Sequence, residues 1–290
     1  MEAAVMHAYS VVDAWISDRV GWFFNAVVGV GLSSSPATAG LPTVDRPTVV
    51  LLAALLYLAA VAAGLLWIRI SGLKPRIREP WPLQTLVVLH NAFCLALSLY
   101  MCVGLLYRAY RLGYSVWGNA YNPNHEEMAH FIYIFYMSKY LEFMDTIIML
   151  LKRKVRQVTV LHVYHHCSIV LIWWLISHHA PGGDAYFSAA VNSGVHVVMY
   201  FYYMLSAILR DDAASRYKYL FWGKYLTRFQ MLQFGVNMAQ AYYDLKVDAP
   251  YPQFLTKILY YYMISLLVLF SNFYRQKYSS LDKSKSHKAE

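Results

Sequence analysis

Long apolar runs alternate with short polar segments along most of the chain. An α-helix needs about 20 mainly apolar residues to cross the hydrocarbon layer of a membrane. We predict seven such spans, at 49–68, 84–107, 129–151, 158–177, 185–209, 226–243 and 254–272. The pattern therefore predicts an all-α integral membrane protein with seven transmembrane helices.

These spans divide the chain into three parts. Residues 1–48 form an N-terminal segment whose apolar stretch is too short to cross a membrane, so we expect an interfacial helix there. Residues 49–278 contain the seven spans, and residues 279–290 form a polar tail that we expect to be disordered.

Composition and charge favour the same class of protein. The chain has 290 residues, of which 59% are hydrophobic and 14% are charged, whereas soluble domains carry about 25% charged residues. This composition excludes an ordinary soluble multi-domain enzyme. The formal net charge of +9 does not indicate nucleic-acid binding, because the basic residues form short clusters between apolar runs.

The distribution of lysine and arginine predicts how the chain is oriented in the membrane. Most of these residues lie in 69–83, in 152–157, in 210–225 and after 272. Cytoplasmic loops carry an excess of lysine and arginine. We therefore expect the N-terminus outside the cytosol and the C-terminus in the cytosol.

The fourth span carries an unusual group of histidines, His162, His165 and His166. Charged side chains at such depth cost roughly 2.5–3.5 kcal/mol each even on insertion scales, so an intramembrane polar cluster predicts a functional site. Counted from Arg156 at 1.5 Å per residue, His165 lies about 13 Å inside the membrane.

Three neighbouring spans present polar residues at helical spacing toward a common interior. These residues are Lys139, Glu142 and Asp145 in the third span, Asn192, His196, Met199 and Tyr203 in the fifth, and Thr227, Gln230 and Gln233 in the sixth. Isolated polar residues in a span more often join helices, at about 0.6 kcal/mol each. We expect that role for His90, Asn91, Asn237 and Gln240.

Three classes of protein could contain such a cluster. An H-x-x-H-H box occurs in membrane di-iron desaturases and oxidases, but these need several more histidine boxes than the chain offers, so we expect no metal. A seven-span lipid receptor would not need histidines beside Glu142 and Asp145. A neutral imidazole is both a nucleophile and a general base, and a carboxylate can fix its tautomer. Acyl transfer therefore fits best, with the oxidase and the receptor as alternatives.

Four motifs resemble the signatures of the ELO-type fatty acid elongases and occur in the family's order. They are Lys139-Tyr-Leu-Glu142-Phe-Met-Asp145-Thr146, His162-Val-Tyr-His165-His166, Asn192-Ser-Gly-Val-His196-Val-Val-Met199-Tyr200-Phe-Tyr202-Tyr203 and Thr227-Arg-Phe-Gln230-Met-Leu-Gln233-Phe234. The resemblance implies a 3-oxoacyl-CoA synthase of the endoplasmic reticulum membrane, which condenses a long-chain acyl-CoA with malonyl-CoA. It also implies that six of the seven helices surround a narrow acyl tunnel closed at the lumenal end.

The resemblance makes His165 the nucleophile, which would form an acyl-imidazole intermediate. We assign His196 and Asn192 to stabilising oxyanion charge. The groups expected to orient imidazoles, relay protons or balance charge are His162, His166, Glu142, Asp145 and Lys139. Contacts to the substrates are expected from Thr227, Gln230, Gln233, Met199 and Tyr203. Cations that could bind the CoA phosphates are Lys224, Arg228, Arg275 and Lys277.

The resemblance extends to substrate and partners. The box H-V-Y-H-H, with Gln157 before it, resembles elongases of polyunsaturated chains, which predicts a C18 or C20 polyunsaturated acyl-CoA. Expected partners are the two CoA substrates, membrane lipid and the ketoacyl-CoA reductase, dehydratase and enoyl-CoA reductase of the elongation cycle. A homodimer is a further expected assembly, and no cofactor is expected.

Overall fold

A computed structural model describes residues 2–76 and 79–286, with side chains over 6–76 and 79–277. Over these residues the fold is all-helical, without strands. In chain order the helices are α1 (Glu2–Phe23), α2 (Pro47–Ile70), α3 (Trp81–Arg111), α4 (Glu126–Leu151), α5 (Val160–His179), α6 (Ala185–Ile208), α7 (Ala213–Tyr219), α8 (Gly223–Lys246) and α9 (Gln253–Ser286). A π-helical turn (Phe24–Val28) follows α1, and a 3-10 turn (Val155–Gln157) precedes α5.

The seven predicted spans all fall on long helices, namely α2, α3, α4, α5, α6, α8 and α9. Within the described residues, α2, α3, α5 and α9 are long and apolar enough to cross a membrane by length and composition. The other three helices carry polar side chains that lower their hydropathy. The all-α class is confirmed, whereas the orientation of the chain stays a prediction.

The two ends of the chain give less information. The N-terminal segment contains α1, but its position at a membrane interface stays a prediction. The disordered tail expected over 279–290 also stays a prediction. The backbone of 279–286 continues α9, while residues 287–290 and all side chains from 278 onward lie outside the described residues.

The start of α5 follows an ordinary sequence signal. Thr159 precedes the helix, and its side-chain oxygen accepts a hydrogen bond from the His162 backbone N–H at 3.2 Å. Such a cap satisfies one of the backbone donors that the first turn leaves unpaired. It also fixes where the helix that carries the histidines begins.

Six of the helices contact one another in a closed order. In this order α3 contacts α6, α6 contacts α8, α8 contacts α9, α9 contacts α5, α5 contacts α4 and α4 contacts α3. A Cβ at Gly104 on α3 would lie 2.1 Å from the Phe131 ring on α4, so these two helices approach closely only because Gly104 has no side chain. α2 packs on α4 and α5, and α1 packs on α2.

One end of the bundle, which we call the far end, is formed by the loops after α3, α5 and α8. Residues 35–44 lie across it: Thr38 Oγ1 donates to the Ser177 carbonyl at 2.6 Å, and Trp174 Nε1 donates to the Val44 carbonyl at 2.9 Å. Gly183 has a φ of 51°, and a Cβ there would lie 2.9 Å from the backbone before Tyr121. The loops are therefore tightly packed and close this end.

The opposite end, which we call the basic end, is organised around Glu79. Its buried carboxylate pairs with Arg210 at 2.7 Å, Lys152 at 3.2 Å and Lys154 at 3.6 Å. These residues come from the connections that follow α2, α4 and α6. One carboxylate therefore ties three connections together.

Candidate active site

The histidine cluster begins with a hydrogen-bonded imidazole. His162 Nε2 lies 2.8 Å from Thr146 Oγ1 on α4, and the Tyr57 hydroxyl on α2 lies 3.0 Å from the same oxygen. The rings of His162 and His166 pack with their centroids 4.4 Å apart. Residues from three helices therefore fix the orientation of His162.

His165 and His166 have different surroundings. His165 lines an internal cavity together with Asn192 on α6 and Gln233 on α8. His166 is buried, and its Nδ1 has no hydrogen-bond partner. The two rings are nearly perpendicular, at 87°, with centroids 5.3 Å apart. His165 is thus the box imidazole that faces space in which a substrate can lie.

A buried ion pair on α4 supports the polar residues of α6. Lys139 Nζ donates to Glu142 Oε1 at 2.6 Å and lies 3.4 Å from Asn192 Oδ1. The same Glu142 oxygen lies 3.4 Å from His196 Nδ1. The Lys139 and Glu142 side chains are only 1% and 4% exposed. A pair this deeply buried is costly to form, which is consistent with a role in positioning Asn192 and His196.

Asp145, one turn further along α4, has partners outside the histidine box. Its Oδ1 lies 2.9 Å from His90 Nε2 on α3, and the Tyr200 hydroxyl donates to its Oδ2 at 2.9 Å. From the sequence we expected Asp145 to orient an imidazole and His90 only to join helices. The structure pairs them with each other, and no periodic pattern around His90 could have identified it.

A narrow cavity runs from His165 toward the far end. It extends from His165 to Ile176 on α5 and from Gln233 to Asp244 on α8, which is about 16 Å on each helix. The walls between these limits are largely apolar and include Ile169, Ile172, Phe234, Leu259 and Met263. This length is about half the ~30 Å thickness of the hydrocarbon layer, so the cavity suits an extended hydrocarbon chain.

The substrate-contact candidates on α6 and α8 do not all reach this cavity. Gln233 lines it, whereas Gln230 Nε2 donates to Met199 Sδ at 3.5 Å. Thr227 is buried, and Tyr203 is 38% exposed. Gln233 is therefore the member of this group best placed to touch a chain in the cavity.

The four cations expected to bind the CoA phosphates are all exposed. Two lie near the start of α8 and two in the C-terminal part of α9, and they are Lys224, Arg228, Arg275 and Lys277. Arg228 Nε donates to the Tyr274 hydroxyl at 2.8 Å, which joins α8 to α9. This places positive charge at the helix ends that lie away from the far end.

Metal ligation was the basis of one alternative interpretation. Over the residues described, no group of three or more His, Cys, Asp or Glu side chains is arranged to hold a metal ion. His162 is hydrogen-bonded to Thr146, and His165 faces the cavity.

Fold and site together define an all-helical membrane protein with imidazoles and a buried ion pair at one end of a narrow apolar cavity. The profile described as "ELO: GNS1/SUR4 family" matches residues 42–288. The chain belongs to this family, which confirms the resemblance inferred from the four motifs.

Three relatives show how far the similarity extends. "Fatty acid elongase 6" of Leishmania major is 43% identical over 227 residues, which cover 74% of this chain and 58% of that protein. "Very long chain fatty acid elongase 4" of Homo sapiens is 34% identical over 251 residues, 85% of this chain and 76% of the relative. "Very long chain fatty acid elongase 5" of Bos taurus is 34% identical over 229 residues, which cover 77% of this chain and 75% of that protein.

Proposed function

We propose that the protein is the condensing enzyme of fatty acid elongation, a very-long-chain 3-oxoacyl-CoA synthase. It condenses a long-chain acyl-CoA with malonyl-CoA and releases CoA and carbon dioxide. The observation that carries this proposal is the position of His165, whose imidazole lies beside Asn192 at one end of a narrow apolar cavity. The names of the relatives, which are all fatty acid elongases, support it.

The first stage transfers the acyl group to the enzyme. A nitrogen of His165 attacks the thioester carbonyl, the carbon–sulfur bond breaks, and CoA leaves with the proton that the imidazole loses. The product is an acyl-imidazole, which keeps the acyl group activated. The acyl chain lies in the cavity between Ile169, Ile172 and Phe234, where its burial stabilises the complex by about 0.8 kcal/mol per methylene.

The second stage forms the new carbon–carbon bond. Malonyl-CoA loses carbon dioxide, and the resulting enolate attacks the acyl carbonyl. The carbon–nitrogen bond to His165 breaks, and the departing imidazole takes up the one proton that the overall condensation consumes from solvent. Asn192 is suited to stabilise the oxyanion, because its Oδ1 accepts from Lys139 and its amide N–H groups are left to donate. The carboxylate of Glu142 faces Nδ1 of His196, so we assign the contact with the reacting atoms to Nε2.

The remaining candidates orient these groups. His162, held by Thr146, and His166, packed between His162 and His165, set the position of the His165 ring. Lys139 balances the charge of Glu142. Asp145 is not in contact with the box histidines in this proposal but fixes Tyr200, whose hydroxyl donates to it. The reaction requires no cofactor beyond the two CoA substrates.

The proposal extends to the arrangement in the membrane. Seven helices cross the membrane of the endoplasmic reticulum, and α3, α4, α5, α6, α8 and α9 surround the acyl tunnel. The far end faces the lumen with the N-terminus, and the basic end faces the cytosol with the C-terminus. The cytosolic position of Lys224, Arg228, Arg275 and Lys277 suits the phosphates of CoA.

The preferred substrate is a polyunsaturated C18 or C20 acyl-CoA, and the product passes to the ketoacyl-CoA reductase, dehydratase and enoyl-CoA reductase of the cycle. Aromatic side chains in the cavity wall, such as Trp173 and Tyr262, suit the flat double bonds of such a chain. A homodimer remains part of this proposal.

The test is formation of 3-oxoacyl-CoA by the purified protein from a polyunsaturated C18 acyl-CoA and labelled malonyl-CoA. His196→Ala is expected to lower kcat by roughly 100-fold or more. The matched control is His130→Ala, which removes an exposed imidazole from α4 and should keep full activity. Absence of labelled product from any acyl-CoA with the wild-type protein would overturn the proposal.

A further inference from the structure

The deepest part of the cavity is polar, although its middle is apolar. Asp184, Gln240 and Asp244 line it, and these residues are 2%, 1% and 2% exposed. A hydrocarbon end placed against such groups makes no hydrogen bond with them, and a buried polar group without a partner is destabilising. The polar lining at the far end therefore does not match the apolar methyl end of an ordinary acyl chain.

Two of these residues have a structural reason to be polar. Asp184 accepts hydrogen bonds from the backbone N–H groups of Gly118 at 2.8 Å and Asn119 at 2.7 Å, and from Asn119 Nδ2 at 2.7 Å. Gln240 Nε2 donates to the Asp184 carbonyl at 2.9 Å, and Gln240 Oε1 accepts from Ser188. Their polar atoms hold the loops of the far end together.

Asp244 has no equivalent explanation. It lines the cavity together with Asp184, and its Oδ1 is buried and has no hydrogen-bond partner. Asn237, which lies about 10 Å earlier on α8, also lines the cavity and also has a buried Oδ1 without a partner. Both residues line the cavity, and both oxygens are acceptors without a partner, so both are suited to a donor on a bound ligand.

We propose that the far end of the cavity binds a hydrogen-bond donor, and that the substrates include long-chain acyl-CoAs with a hydroxyl group at the end distant from CoA. This inference rests on the proposed function and narrows its substrate class. The hydroxyl donates to Asp244 Oδ1 when the chain is long enough to reach from His165 across the ~16 Å of cavity. A methyl end of equal length leaves that acceptor unpaired.

The wild-type protein provides the main test. Matched acyl-CoAs with and without the terminal hydroxyl are compared over a series of chain lengths, with kcat/KM for 3-oxoacyl-CoA formation as the measurement. At the length that reaches Asp244 we expect the hydroxylated chain to be preferred by about tenfold. Chains whose hydroxyl lies among the apolar walls, away from Asn237 and Asp244, should show the opposite preference.

Two variants localise the effect. Asp244→Leu should abolish the preference for the hydroxylated chain, whereas Asp248→Asn, an exposed residue four positions later, should retain it. If Asp244→Leu does not fold, the wild-type comparison alone decides the question.

The outcomes separate this inference from the proposed function. Elongation of methyl-ended chains with a preference against the hydroxyl at every length would overturn the inference and leave the function intact. A preference that persists in a folded Asp244→Leu variant would also overturn it. Failure of the wild-type protein to elongate any acyl-CoA would overturn both.

Discussion

Glu142 is the residue on which the polar site depends. One of its carboxylate oxygens contacts Lys139 and His196, and the other has no hydrogen-bond partner. A buried carboxylate with so few donors depends on a neighbouring cation for compensation. Lys139 supplies that cation, and its ammonium group also lies 4.0 Å from the centre of the Phe135 ring.

Removal of Lys139 should therefore destabilise the protein. We expect Lys139→Met to lower the free energy of unfolding by about 3–5 kcal/mol, because it leaves the Glu142 charge buried without compensation. The measurement is thermal unfolding of the detergent-solubilised variant against the wild type. The double variant Lys139→Met with Glu142→Gln should recover most of the lost stability but not the activity. A single variant as stable as the wild type would contradict this account.

Helical spacing identifies most of the site residues but not their partners. Steps of three place Lys139, Glu142 and Asp145 along one side of α4. Which neighbouring helix each of them meets depends on how α3 and α5 pack against α4, which spacing does not encode. For this reason Thr146, and not Asp145, holds His162, and Asp145 pairs with His90.

At the scale of elements, the polar faces of α4, α6 and α8 explain why only part of the bundle is strongly apolar. The helices that meet the length and hydropathy expected of a span are α2, α3, α5 and α9. Sequence reasoning located the seven helices predicted as spans, because each has about 20 residues with few charges. They are α2, α3, α4, α5, α6, α8 and α9. The closed order in which six of them pack could not be predicted from spacing, because contacts between distant helices leave no periodic signal; only the family resemblance implied that six helices surround a tunnel.

The connections at the basic end should respond to pH through Glu79. Burial opposes ionisation of this carboxyl, but the charges of Lys152 and Lys154 outweigh burial and hold the pKa of Glu79 below its ordinary value of 4.5. A carboxyl with a lowered pKa stabilises the fold above the pKa of the unfolded state. This contribution is lost as the pH falls below about 4.5.

Glu79→Gln tests this linkage. As the pH falls below about 4.5, the wild type should lose thermal stability more steeply than Glu79→Gln, so the difference between the two should shrink toward the acidic end. Asp211→Asn is the matched control, since Asp211 is exposed and pairs with the same Arg210. Identical pH profiles for the wild type and Glu79→Gln would show that the three connections are not held by this carboxylate.

At the scale of the whole molecule, the polar cluster around His165 lies at one end of the cavity proposed to bind the acyl chain. The imidazole of His165 lies at one limit of the cavity, and Asp184 and Asp244 lie at the other. Residues 35–44 help to close the far end through contacts to α5. From the sequence we expected only an interfacial helix in this N-terminal region, because its contacts to α5 join residues more than a hundred positions apart.

The central claim is that His165 accepts the acyl group before malonyl-CoA reacts. Its most direct test is the intact mass of the purified protein after incubation with a polyunsaturated C18 acyl-CoA alone, beside His165→Ala. We predict an adduct with the mass of the acyl group, absent from the variant and discharged as 3-oxoacyl-CoA when malonyl-CoA is added. An unmodified wild-type protein that still forms 3-oxoacyl-CoA with both substrates present would contradict the claim and leave His165 as a base.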